Sequence, residues 1–294
     1  MPAVFEPYAI ATIVNTILAL GVYITMMSGQ FSVAHAALMG IGAYSAALLT
    51  TNFGWSFWPA LLVGVLLAAA VGVALALVTA RMGELTQSLA TLGFGQTMTI
   101  IGYNATSLGG ALGFSGVRLF TTLPLAVAAL AVAIWMAWRF DASRFGLAAR
   151  AVRANPSAAA ASGVSVLRIR VMTFGIGAAL AGFAGVLYVH YALFITPDDM
   201  SFFQSFSLLV FVLFGGSEVL LGAIVGAATL TILPFTLGFA TTFRFAVYGL
   251  TLALVVLLRP QGLITRRLMS RIHAFAADRA RGAMSTLRRG TQTP

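Results

Sequence analysis

The chain has 294 residues, 60% of them hydrophobic and only 8% charged, against about 25% charged in a soluble domain, so a soluble globular protein is excluded. All 17 basic residues are arginine, and the net charge of +10 reports membrane topology in so apolar a chain rather than nucleic-acid binding. Cysteine is absent, which removes disulfides, thiol catalysis and thiolate metal sites.

Several apolar runs approach the roughly 20 residues that carry a helix across a ~30 Å hydrocarbon core. They are apolar on all sides, whereas barrel strands alternate over ~10 residues. The expected fold is all-α, a polytopic transmembrane helical bundle of about eight or nine membrane segments. The opening "MPAVFEPYAI" lacks the basic n-region of a cleaved signal peptide, so the first segment, 8–27, is expected to be retained as a span. The second, 33–50, belongs to "SGQFSVAHAALMGIGAYSAALL", with Gln30 and Ser32 before it and His35, Gly40, Gly42 and Tyr44 within it. Either a polar, glycine-loosened helix lines a pathway here, or the histidine is satisfied by a neighbouring helix and the glycines serve close packing.

The third segment, 58–80, is uniformly apolar. The fourth, 85–103, lies in "RMGELTQSLATLGFGQTMTIIGYN" and carries Gln87, Thr91, Gln96, Thr97 and Thr99. Steps of four put Gln87, Thr91, Gly95 and Thr99 on one face, a stripe suited either to a small zwitterion's path or to interhelical hydrogen bonds. After the fifth segment, 122–139, comes a polar strip containing "GLAARAVRANPSAAAASGVSVLRIRV". Asn155-Pro156 initiates a turn or helix, Ala158 to Ala161 propagate a helix, and Ser162-Gly163 end it. Such a helix has no core of its own to bury. Its small-residue surface fits another protein's groove, or else it is an ordinary loop.

Four further segments run near 171–190, 203–217, 220–239 and 243–258. Small-residue stripes at Ala178, Ala181, Gly182 and Gly185, and the Gly222/Gly226 pair, predict close helix packing. The second, fourth and seventh segments are short or glycine-rich, so one of them is a candidate re-entrant or broken span. The acids Glu6, Glu84, Asp141, Asp198, Asp199 and Asp278 sit at segment ends or in loops, and only Glu218, in "LFGGSEVLLG", comes near an apolar run. His35, His190 and His273 are scattered. Neither an enzyme's constellation nor an ion relay is present, and no metal site is expected.

Arginines cluster between 139 and 170 and again from 259 onward, with four segments between the clusters. The positive-inside bias then puts both on the cytoplasmic side, with the N-terminus outside and the C-terminus inside. This divides the chain into a membrane domain, 1–258, with a cytoplasmic loop at 140–170, and a basic tail, 259–294. In the tail Ile264, Leu268, Ile272 and Phe275 recur at helical spacing, either as an interfacial helix on membrane lipid or as a soluble extension. The residues alone leave two functions open: a transport subunit driven from outside this chain, or a self-contained channel or facilitator for a small neutral solute such as urea or an amide.

Six blocks narrow that choice: "GQFSVAHAALMGIGAYSAALL", "TLGFGQ", "SRFGLAARAVRANPSAAAASGVSV", "ALAGFAGVLY", "FGGSEVLLGAIVGA" and "YGLTLALVVLLRPQGL". In this order they resemble the permease subunits of ABC importers, in particular the branched-chain amino-acid permease family and its M-type subunit. The resemblance implies an inner-membrane subunit for branched-chain or other apolar amino acids. It also implies a second permease subunit, two cytoplasmic ATP-binding subunits and an external solute-binding protein. No cofactor is implied for this chain, the ATP being used by the partners. The central loop becomes the cytoplasmic coupling helix, with Arg150, Arg153, Asn155, Ala160 and Gly163 at its motif positions. Gln30, His35, Tyr44, Gln87, Thr91 and Gln96 are the candidate pathway residues. The chain departs from the family pattern at Gln96 and at Asn155, where an acidic residue is common.

Overall fold

The computed structural model describes residues 2–236, 249–250 and 262–264. Ten helices follow in order: α1 (Pro2–Met26), α2 (His35–Thr51), α3 (Phe57–Thr79), α4 (Glu84–Asn104), α5 (Leu123–Asp141), α6 (Arg144–Ala154), α7 (Pro156–Ala161), α8 (Val166–Ala192), α9 (Phe202–Gly215) and α10 (Leu220–Thr236). Two short strands, β1 (Phe114–Ser115) and β2 (Phe194–Ile195), pair antiparallel with Phe114 opposite Ile195. Helices therefore stand on eight of the nine expected segments. The ninth, at 243–258, and the tail positions Leu268, Ile272 and Phe275 lie outside the described residues, apart from 249–250.

Among the described residues four helices are long and apolar enough to cross a membrane: Glu6–Met26, Phe57–Thr79, Leu123–Asp141 and Val166–Ala192. Helices α2 and α9 are shorter, at 17 and 14 residues. Helix α4 is continuous over 21 residues, so its glycines do not break it.

Helix α8 is the hub, packed on α1, α2 and α3. Lipid tails remove the hydrophobic drive between helices, so association rests on close backbone approach. Gly42 of α2 meets Gly182 of α8 so tightly that a Cβ on Gly42 would lie 2.6 Å from the Gly182 Cα. Along α3 the buried positions are Phe57, Ala60, Gly64, Ala68, Gly72, Ala76 and Thr79. From Ala60 to Ala76 they form an unbroken i, i+4 row of small residues, a smooth ridge for α8. Helix α5 buries Ala126, Ala129, Ala133 and Ala137 and packs chiefly on α1.

Successive helices alternate between two ends. At the arginine end Arg170 donates to the carbonyl of Ala80, just past α3 (2.7 Å), and Arg153 donates to Ser217, between α9 and α10 (3.0 Å). At the opposite end the link between α8 and α9 is stapled by its two acids. Asp199 accepts from the Thr196 amide (2.9 Å) and from Tyr188 (3.1 Å), and Asp198 accepts from Tyr103 at the end of α4 (2.5 Å).

Candidate coupling and translocation site

At the arginine end the polar strip folds as two helices. The Ser143 side chain caps α6 by accepting from the Gly146 amide (3.3 Å). The Asn155 side chain caps α7 by accepting from the Ala158 amide (3.0 Å), with Pro156 in the first turn, where its missing N–H costs nothing. Gly163 follows at φ +84°, the left-handed position that closes a helix. Start and stop signals therefore fall where the sequence puts them. Ala158, Ala160 and Ala161 are exposed while Ala159 is buried, so α7 presents a small, uncharged face to the outside of the bundle.

Two arginines of α6, Arg150 and Arg153, turn inward, while Arg144 is exposed. Arg150 forms an ion pair with Asp141 at the end of α5 and donates to its carbonyl. Arg153 is a fork: one nitrogen donates to the Ser217 carbonyl and the other to the Ser217 hydroxyl, both at 3.0 Å. Gly29, at φ +74°, lies directly beneath; a Cβ there would sit 3.3 Å from the Arg153 Cα. A cavity of about 320 Å³ opens beside this contact, between Tyr23, Met27, Arg150, Arg153 and Glu218.

Gly29 belongs to the non-helical link between α1 and α2, and that link is buried. An unpaired polar group there costs several kcal/mol, and side chains supply the partners. The Gln30 amide nitrogen lies within hydrogen-bond distance of Ser28 Oγ (2.8 Å), the Arg170 carbonyl (2.9 Å) and Thr173 Oγ1 (3.1 Å). Its oxygen accepts from Gln87 of α4 (2.8 Å). Thr91 accepts from the Val33 amide (3.1 Å) and Ser205 of α9 from the Ala36 amide (3.1 Å). The stripe Gln87, Thr91, Gly95 and Thr99 lies on the buried face of α4; Gln87 and Thr91 bond the α1–α2 link, and Thr99 lies within hydrogen-bond distance of the Met200 carbonyl (3.2 Å) and of Gly95 in its own helix (3.0 Å).

His35 is buried one step deeper. The Thr25 hydroxyl lies 3.1 Å from the Gly21 carbonyl and 3.2 Å from His35 Nε2. Gln30 and Gln87 are thus bonded to each other, Thr91 holds the same link at Val33, and His35 lies against Thr25. Tyr44 is elsewhere, its hydroxyl 3.4 Å from the Ile195 carbonyl in the small core at the opposite end. Gln96 is exposed on α4, off the buried stripe, with Thr97 beside it. Ser28, Thr173, Ser205 and Ser217 were not singled out from the sequence. Each is a small hydroxyl whose partner lies up to 169 positions away.

A bundle of long apolar helices around α8 defines a class, that of multi-pass membrane proteins. A family model described as the permease component of the branched-chain amino acid transport system matches residues 5–258, and the chain belongs to that family. It is similar to the high-affinity branched-chain amino acid transport system permease protein LivM of Escherichia coli (strain K12), with 27% identity over 87% of this chain and 69% of that protein. The LivM protein of Salmonella typhimurium (strain LT2) is 26% identical over the same shares. No solved structure matches the chain.

Proposed function

We propose that this chain is the permease subunit of an ATP-driven importer that carries branched-chain or other apolar amino acids across the bacterial inner membrane. Residues 1–258 are the permease domain, with eight or nine spans as expected, and 259–294 a cytoplasmic tail. The arginine end faces the cytoplasm. There α7 docks on one of two ATP-binding subunits, while the opposite end receives substrate from a solute-binding protein. A second permease subunit covers the exposed face of α4, and Gln96 and Thr97 line the path between the two permeases. Gln30, Gln87 and Thr91 hold the broken α1–α2 link that flanks the path, with His35 and Tyr44 bracing α2 at different depths.

The carrying observation is the exposed alanine face of α7, anchored to the bundle through Arg153 and Ser217. A self-contained facilitator would have no use for that face. Ala160→Arg places a long cation on it without altering the helix, since arginine is nearly as good a helix former as alanine. The variant should insert and fold normally, fail to retain ATP-binding subunits on purification, and lose amino-acid uptake. Normal uptake would remove α7 as the docking element.

A further inference from the structure

We propose that the groove between α3 and α8 at the arginine end binds one chain of an anionic phospholipid, with its phosphate on Arg168. The groove has a volume of about 760 Å³. Its walls are two helical rows: Ala69, Val73 and Leu77 on α3, and Arg168, Met172 and Gly175 on α8. Gly175 sets its floor, since a Cβ there would lie 2.7 Å from the Val73 Cγ2. Ser165 and Arg168 stand at the mouth, both exposed, and everything deeper is apolar.

The dimensions suit a lipid tail. From Leu77 to Ala69 the groove runs about 12 Å at 1.5 Å per residue, close to the ~15 Å depth of one leaflet. The charge selects the headgroup. Arg168 is the arginine that lines the groove, while Arg170 is held by the Ala80 carbonyl. The ion pair found among the described residues is Arg150–Asp141, which leaves Arg168 outside it. Tail packing in the groove retains the lipid and is the same for any headgroup. Selectivity rests on net headgroup charge, because phosphatidylcholine offsets the same phosphate with an ammonium, and is worth about 1 kcal/mol for the arginine at the mouth.

Native mass spectrometry of the purified chain in mild detergent tests this, with phosphatidylglycerol and phosphatidylcholine of identical tails as probes. One phosphatidylglycerol should be retained with at least a five-fold preference, equivalent to ~1 kcal/mol. Arg168→Ala should erase the preference. Ala69→Phe, which fills the groove and leaves the arginines in place, should erase retention with unchanged thermal unfolding. Equal retention of both lipids, or a preference that survives Arg168→Ala, would overturn the assignment. So would a Val73→Cys crosslink to a second permease subunit in native membranes, a clean probe in a chain with no cysteine.

Discussion

Two glutamines on α4, Gln87 and Gln96, look alike in the sequence and differ in the fold. Gln87 is 1% exposed and donates to Gln30; Gln96 is exposed. Gln87→Leu leaves the Gln30 oxygen buried without its partner, a loss of about 1–3 kcal/mol, so the melting temperature in detergent should fall. Gln96→Leu removes no hydrogen bond found in the structure. It should melt like the parent chain and change uptake. A reversed pattern, with Gln96→Leu lowering the melting temperature, would exchange the structural and pathway roles. Both glutamines were legible as polar residues in an apolar segment, and i, i+4 spacing separated the stripe from Gln96. Their chemical use was not legible, because the partners of Gln87 and Thr91 lie 57 and 58 positions away, in a link no periodicity predicts.

At the scale of elements, helix existence and the small-residue stripe of α8 were readable because each depends on local composition. Asn155, Pro156 and Gly163 marked the limits of α7 because capping is a contact within three or four residues. The turn of α6 arginines toward the bundle was not readable. Their count sets sidedness, but Arg153 meets Ser217 only through tertiary packing 64 positions on. The small-residue row of α3 was present in "WPALLVGVLLAAAVGVALAL" at a spacing of four, yet alanine and glycine there read equally as plain hydrophobic filler. Packing shows which of them matter. Gly42→Leu would push side-chain carbon into Gly182, whose Cα a single Cβ already reaches at 2.6 Å. Overpacking of this kind costs about 1–3 kcal/mol. Gly93→Leu, on the same scale of size change, meets nothing within 4 Å of its Cβ. The first should separate α2 from α8 and lower the melting temperature, and the second should leave it nearly unchanged. Equal melting of the two would detach bundle stability from this crossing.

For the whole molecule, the docking proposed for α7 raises the question of how a push there would reach the helices. The six-residue α7 has few contacts of its own, and it continues from α6 with only Asn155 between. Helix α6 is held at three places: Arg150 on α5, Arg153 on the α9–α10 link, and the Arg153 backbone on Gly29. Gly29 adjoins Gln30, which ties the α1–α2 link to α4 and α8. A displacement of α6 is thus shared among six helices, α1, α2, α4, α8, α9 and α10, through two residues, Arg153 and Gly29. The Arg153 fork uses two nitrogens at fixed spacing, which lysine cannot reproduce despite its charge. Hydrogen bonds to a charged group contribute about 1.5–3 kcal/mol, and 1.4 kcal/mol is tenfold in an equilibrium. Arg153→Lys should leave the outward alanine face intact, so the ATP-binding subunits stay bound and hydrolyse ATP. The amino acid moved per ATP hydrolysed in proteoliposomes should fall about tenfold. Ser217→Ala, which removes one of the two bonds, should give an intermediate ratio. If both variants transport with the parent's ratio, force passes through Asp141 and α5 instead, and the Arg153 fork is only a brace.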